Sequence, residues 1–360
     1  MIKKILKGLL FSIIALFVLI AVVRLIGRGI NSITPKGGIN ENFYVDINGS
    51  KQWISIYGKD RNNPVLLYLH GGPGSSTSAY DYAFTRKWSD IYTVVTWDQR
   101  NCGKSYSKEQ TGKIEFTHDM FMEDGKQMTE FVRNYLGKDK ITLIGHSWGS
   151  FLGANLALEY PGYYDCYIGT GQVIDMEENE KRFVEAAREW AKGDSEGEKL
   201  LEDYNGKDFD VKWIMSRNKL MEMYGYAMNS VKYEYNWYAA IFFNPYYSIM
   251  DIYKQLDNLM HYESGDYAAF VASPEFNKFS LGGRYDYKVP YYNINGDRDY
   301  QTNFELAQEY FDKVNAPKKK MIMMKDMTHL LLEAGKDEYT DYLREIATET
   351  VGSDKKINVS

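Results

Sequence analysis

Ser147 lies in Gly145-His146-Ser147-Trp148-Gly149, between residues 141–144, which read as a strand, and residues 148–160, which read as a helix. A serine on a strand-to-helix elbow is held in strained backbone angles with its hydroxyl exposed, and the turn leaves no room for side chains two positions to either side. Gly145 and Gly149 meet that requirement. Ser147 is therefore the candidate nucleophile, with the N-terminus of the following helix close to its oxygen. A second motif, His70-Gly71-Gly72-Pro73-Gly74, follows the apolar run at residues 65–69. Its glycines let the backbone turn sharply and aim an amide beside the nucleophile, as an oxyanion hole requires. Gly72 and Trp148 are the expected donors, since Pro73 has no N–H.

A serine hydroxyl needs a base, and the chain has five histidines: His70, His118, His146, His261 and His329. On a sheet with such an elbow the acid and then the histidine follow the serine, the histidine in a loop after the last strand. His329, just beyond the strand expected at residues 321–324, fits. His70 belongs to the glycine turn, His146 is expected to point away from its neighbour Ser147, and His118 and His261 read as solvated or hydrogen-bonded groups. Two Gly-x-x-Asp strings compete for the acid. Asp286 precedes the strand expected at residues 289–295 and so sits at the wrong end of the sheet. Asp299 follows that strand, with Asp297 as its rival, and would fix the His329 tautomer and stabilise the imidazolium.

These groups need a scaffold. Residues 43–47 and 52–57 flank Asn48-Gly49, a strong hairpin signal. Residues 65–69 and 92–97 read as buried strands separated by a helix at 77–88, and a helix is expected at 118–136. The alternation predicts a mostly parallel sheet with helices on both faces, the α/β class. It stops near residue 175 and resumes near 286, with a strand at 289–295, a helix at 302–314 opened by the pair Thr302 and Glu305, a strand at 321–324 and a closing helix at 338–348. The organisation read from this is a core of residues 31–174 and 286–350, a helical, aromatic-rich cap of 175–285 and a flexible tail of 351–360.

Residues 1–30 stand apart. Positions 8–23 carry no charge and lie between Lys3, Lys4, Lys7 and Arg24, Arg28. If Arg24 snorkels, Leu25 and Ile26 extend the apolar stretch toward the roughly 20 residues that span a bilayer. No small-x-small cleavage site follows, which favours an uncleaved anchor over a signal peptide. The preceding lysines predict a single-pass protein of the cell membrane, N-terminus inside and body extracytoplasmic. A net charge of −6 with scattered basic residues offers no footprint for nucleic acid. The two cysteines, Cys102 and Cys166, suggest neither a disulfide framework nor a thiolate metal site.

Together with Asp98-Gln99-Arg100-Asn101-Cys102-Gly103-Lys104-Ser105, the two glycine motifs resemble those of the α/β-hydrolase superfamily, and within it the proline iminopeptidases. The resemblance covers residues 43–174 and 286–348. It implies an α/β-hydrolase fold with an eight-stranded sheet, a helical cap over the site, no metal or cofactor, and release of an N-terminal residue, often proline, from short peptides. The chain departs from the family in having His146 where a glycine is usual, as esterases do, Asn101 where glycine follows the Asp-Gln-Arg, and the N-terminal apolar segment. An aminopeptidase must hold a free ammonium group, which calls for desolvated carboxylates. The cap candidates are Glu234 and Glu263, with Glu222 third. The aromatics crowded between Tyr224 and Tyr247 would enclose the substrate or form the cap's own core. A carboxylesterase or lipase-like hydrolase is the alternative within enzymology, and a non-catalytic membrane-anchored binding protein the alternative outside it.

Overall fold

The computed structural model describes residues 2–206, 211–228, 230, 236–260 and 265–351. The tail expected at residues 351–360 lies, from 352 onward, outside them. Helix α1 (Ile2–Asn31) precedes the sheet. Strands β1 (Ile39–Ile47) and β2 (Ser50–Gly58) pair as a hairpin through Asn48 and Gly49, both at positive φ. There follow β3 (Val65–Leu69), α2 (Tyr82–Thr85), β4 (Thr93–Asp98), α3 (His118–Leu136), β5 (Ile141–His146), α4 (Trp148–Glu159) and β6 (Tyr164–Thr170). Among the described residues seven helices separate β6 from the next strand: α5 (Met176–Trp190), α6 (Ser195–Leu201), α7 (Val211–Met223), α8 (Trp237–Phe242), α9 (Ile249–Met260), α10 (Asp266–Val271) and α11 (Pro274–Asn277). Then come β7 (Tyr291–Gly296), α12 (Phe304–Lys313), β8 (Lys319–Met324), α13 (Leu331–Ala334) and α14 (Lys336–Thr350).

The eight strands form one sheet in the order β1-β2-β4-β3-β5-β6-β7-β8, parallel from β4 to β8. Every residue of β3, β4, β5 and β7 is buried, as expected of strands covered on both faces. One face packs on α3, α4 and α12 through Phe121, Met128, Leu152, Leu156 and Leu306. The other packs on α2, the turn that follows it and α14 through Phe84, Trp88, Tyr339 and Leu343. The insertion has a core of its own, in which Phe183, Val184, Trp213 and Leu220 are buried together.

Three local expectations change. The sequence pattern shows no strand where β6 stands, because Asp165 and Gly169 interrupt its apolar run, yet it fills the sheet between β5 and β7. The helix expected at 77–88 is confined to α2 and a short 3-10 turn, Arg86–Trp88, because Ser76 and Ser78 before it are tied to Asp98. Helix α12 is opened by Asn303, whose side chain accepts from the Leu306 amide, while Thr302 is engaged elsewhere.

Helix α1 is long and apolar enough to cross a membrane, with a mean hydropathy of 3.0 over its most apolar window. Its large residues face outward: Phe11 is 74% and Phe17 67% exposed. Arg24 is engaged by the protein itself. Its guanidinium is buried against residues 242–247, donating to the carbonyls of Phe242 and Tyr247, the latter at 2.9 Å.

Candidate active site

The elbow at Ser147 has the strained geometry its motif requires, with φ 55° and ψ −126° between β5 and α4. A Cβ on Gly145 would lie 2.1 Å from the Gly149 carbonyl oxygen, and one on Gly149 2.2 Å from that of Leu69, so any side chain at either position would displace backbone. Gly72, at φ 119°, turns the chain after β3. Ser147, Trp148, Gly71, Gly72 and His329 all line one cavity of about 470 Å³.

Asp299 and His329 come from the loops after β7 and β8. His329 Nδ1 donates to Asp299 Oδ2 at 2.7 Å, and both side chains are buried. The carboxylate also accepts from the amides of Gln301 and Thr302 at 2.9 and 3.0 Å and from the Thr302 hydroxyl at 2.9 Å. Burial alone would raise the Asp299 pKa, but the His329 ring and these donors outweigh it and hold the acid below its ordinary value. This is why Thr302 does not cap α12. Asp286 pairs instead with Asn315 at 3.0 Å, and Asp297 makes no bond to His329 among the described residues.

Several groups outside the serine, acid and histidine shape this site. His146 lines the same cavity, contrary to the expectation that it points away, and its ring lies 4.7 Å from that of His329, centroid to centroid. Side chains alternate only while a strand continues, and the backbone leaves strand angles at Ser147. His146 Nε2 donates to the His329 carbonyl at 2.9 Å. Burial, with the nearby His329 adding to it, lowers the His146 pKa to about 3, so the ring is neutral.

The segment 98–105 knits the glycine turn to the elbow. The Gln99 side chain donates to the His70 carbonyl and accepts from the Trp148 indole, each at 3.2 Å. The Gln99 amide donates to His70 Nε2 at 3.2 Å. Burial lowers the His70 pKa to about 4, so its ring is neutral and Nδ1 donates to the Gly71 carbonyl at 2.8 Å. Asp98 accepts from the hydroxyls of Ser76 and Ser78 and from the Lys104 amide. Arg100 forms a two-pronged pair with buried Asp124 at 2.7 and 2.8 Å. The motif carried the resemblance in the sequence, but its structural work depends on contacts between distant segments that spacing does not reveal.

The cavity walls are largely apolar, with Met176, Ile214, Val271, Phe276 and Phe279 among them. Its two carboxylates among the described residues are Glu180 and Glu333. Glu180 is committed: one oxygen accepts from Arg217 at 3.0 Å and from the Trp213 indole at 2.8 Å. Glu333 is buried with Oε2 lacking a hydrogen-bond partner among the described residues. Burial pushes its pKa up to about 7. Glu234 and Glu263 lie outside the described residues, as does His261, and Glu222 is exposed on α7. His118 packs edge-on against Phe151 and Phe279, away from Ser147's partners.

None of the described aromatics between Tyr224 and Tyr247 lines the cavity. Tyr226 stacks on Trp190 at 4.2 Å, while Phe242, Phe243 and Tyr247 meet α1. The rings around the cavity come from Tyr80, Trp148, Phe276 and Phe279. Of the described aromatics in this stretch, Tyr226 thus serves internal packing, and Phe242, Phe243 and Tyr247 form the seat of α1.

Residues 64–299 match the family described as alpha/beta hydrolase fold. The chain is 36% identical over 145 residues to a probable aminopeptidase, YbaC, of Bacillus subtilis (strain 168), covering 40% of this chain and 45% of that one. It is 34% identical over 132 residues to a proline iminopeptidase of Saccharolobus solfataricus, covering 36% and 40%. These matches span less than half the length of either relative. The crystal structure of VinJ superposes with a TM-score of 0.64 at 18% identity over 86% of this chain and 99% of that one, a likeness of fold.

Proposed function

The chain belongs to the alpha/beta hydrolase fold family, and on that premise we propose that it is a membrane-anchored serine aminopeptidase that releases proline or another small residue from the N-terminus of short peptides. The observation that carries the reading is the strained Ser147 elbow opening into the same cavity as His329, whose Nδ1 is held by Asp299. With Nδ1 so occupied, the other ring nitrogen is the one free to accept the Ser147 proton. Ser147 Oγ attacks the substrate carbonyl, and the amides of Gly72 and Trp148 receive the negative charge that develops on its oxygen. His329 returns the proton to the leaving amine, the acyl enzyme forms, and water taken through the same base releases the first residue as a free acid.

Aminopeptidase action is supported by the names of the partly matched relatives. In this reading Glu234 and Glu263 hold the substrate ammonium. Helix α1 is the single-pass anchor, with the N-terminus inside and the core of residues 31–174 and 286–350, together with the cap of 175–285, outside the cell.

One observation favours a second reading. The described walls are mostly apolar, and Glu180 is already neutralised by Arg217, which suits an acyl ester better than a charged amine. Aminoacyl-arylamides and short acyl esters assayed side by side on the full chain separate the two. Under the aminopeptidase reading Glu234→Gln and Glu263→Gln cripple arylamide cleavage and spare acetyl-ester hydrolysis. Arylamide cleavage unchanged in both variants overturns it in favour of an esterase.

A further inference from the structure

Helix α9 carries its apolar side outward. Ile249, Tyr253, Leu256 and Met260 are 75%, 58%, 53% and 71% exposed. At the α-helical turn their spacing places them within an arc of about 60°. The polar side faces the protein: Asp251 pairs with Lys104 at 3.2 Å, Asp257 accepts from the Tyr106 hydroxyl at 3.1 Å, and Asn258 is buried. A helix at the surface of a soluble body has the opposite arrangement. The inversion is held in place by ionic and hydrogen bonds to the core, so it is built into the fold.

An independent set of contacts says what covers this face. The end of α1 is bonded to the segment immediately before α9. Arg28 donates to the carbonyls of Asn244 and Pro245 at 3.1 and 3.2 Å, and Asn31 to that of Phe243 at 3.0 Å, beside the two Arg24 bonds. A Cβ on Gly27 would lie 2.1 Å from the Phe243 ring, so the backbone of α1 rides directly on that side chain. Tyr247, held by Arg24 at the boundary of the uncharged stretch, is two residues from the start of α9. Tyr238, on α8 just before the docking segment, is 88% exposed. Tyrosines with an apolar ring and a polar tip favour the level of the lipid headgroups.

We propose that α9 lies in the headgroup region of the bilayer that α1 crosses, with Ile249, Tyr253, Leu256 and Met260 inserted, so that the body is seated on the membrane rather than tethered above it. The inference rests on the reading of α1 as a membrane anchor. It also brings the cavity near the lipid surface: Tyr80, in the cavity wall, meets Trp237 of α8 edge-on at 4.4 Å.

Spin labelling of the full chain in phosphatidylcholine–phosphatidylglycerol nanodiscs tests this, since Cys102 and Cys166 are fully buried. A nitroxide at Tyr253→Cys, or at Ile249→Cys as a second exposed position, is expected to collide severalfold less with a water-soluble nickel chelate than one at Glu185→Cys, and more with oxygen. A label at Phe11→Cys reports the anchor. Phe11 in the bilayer with both α9 labels in water overturns the inference and leaves the anchor standing. Phe11 in water overturns the anchor and the inference together. Spin–spin coupling between two Tyr253→Cys labels would show α9 covered by a second copy of the chain, and also overturns it.

Discussion

His146 Nε2 donates to the backbone carbonyl of His329 across 2.9 Å, so the residue before the candidate nucleophile holds the loop that carries the candidate base. The bond joins β5 to the turn after β8. It fixes where His329 sits through its main chain, while Asp299 fixes its ring.

Replacing His146 by glycine, the residue usual in the proline iminopeptidases that the chain resembles, should therefore slow chemistry without weakening substrate binding. We expect His146→Gly to lower kcat by about 10- to 100-fold with KM nearly unchanged, the size of effect that misplacing a catalytic group produces. Steady-state kinetics on whichever substrate the enzyme accepts would show it. Equal kcat in variant and wild type would mean that the base is positioned without this bond.

Glu333 gives a pH dependence with a definite sign. Its carboxyl ordinarily titrates near 4.5 and is pushed up to about 7 by burial. Below pH 4.5 it is protonated in both folded and unfolded chains. Between there and pH 7 the unfolded chain loses the proton and the folded one keeps it, so stability falls as pH rises. The shift corresponds to about 3 kcal/mol. Asp81, raised to about 7 by burial and by Asp98, and Asp98, raised to about 6 by burial, contribute in the same direction. Urea unfolding of Glu333→Gln at pH 4.5 and 8 should show a stability loss smaller than the wild type's by about 3 kcal/mol; identical losses would place the Glu333 carboxylate in a solvated setting.

Gln99 bridges the glycine turn and the elbow through His70 and Trp148. Truncation to alanine leaves the buried indole N–H of Trp148 without its acceptor, at a cost of about 1–3 kcal/mol. Denaturant titration of Gln99→Ala should show that loss together with a reduced kcat. A variant as stable and as active as the wild type would show that the two turns are held independently of Gln99.

The positions of the candidate site residues were more legible in the sequence than the contacts that hold them in place. Ser147 and the glycines around it could be found because a strained turn forces particular residues at fixed, short spacing. Asp299 and His329 could be located from strand ends. What escaped depends on contacts between distant segments. Thr302 has the look of a helix cap, but its hydroxyl is taken by Asp299 and Asn303 caps instead. His146 sits in a strand pattern whose alternation ends one residue later. Tyr164–Thr170 lacks a clean apolar run because neighbouring strands, more than its own composition, make it β6. The aromatic stretch was visible as a composition, but its partner, the end of α1, lies about 200 positions away in sequence.

That docking also makes a prediction. Arg24 supplies donors to two main-chain carbonyls in residues 242–247. In Arg24→Ala those carbonyls lose their partner, and amide exchange across residues 242–247 should speed by about tenfold or more, since each lost bond costs about 1–3 kcal/mol. Exchange rates equal to the wild type's would show that the segment is held by the core alone.

In the proposed mechanism Ser147 is a nucleophile activated by His329 and Asp299. Labelling of the intact chain with a fluorophosphonate probe, mapped by peptide mass, tests it most directly. One adduct on Ser147 is expected, with loss of hydrolysis in proportion to labelling and no adduct in folded Ser147→Ala. Folded wild-type protein that fails to label, or that labels equally when Ser147 is alanine, would contradict it.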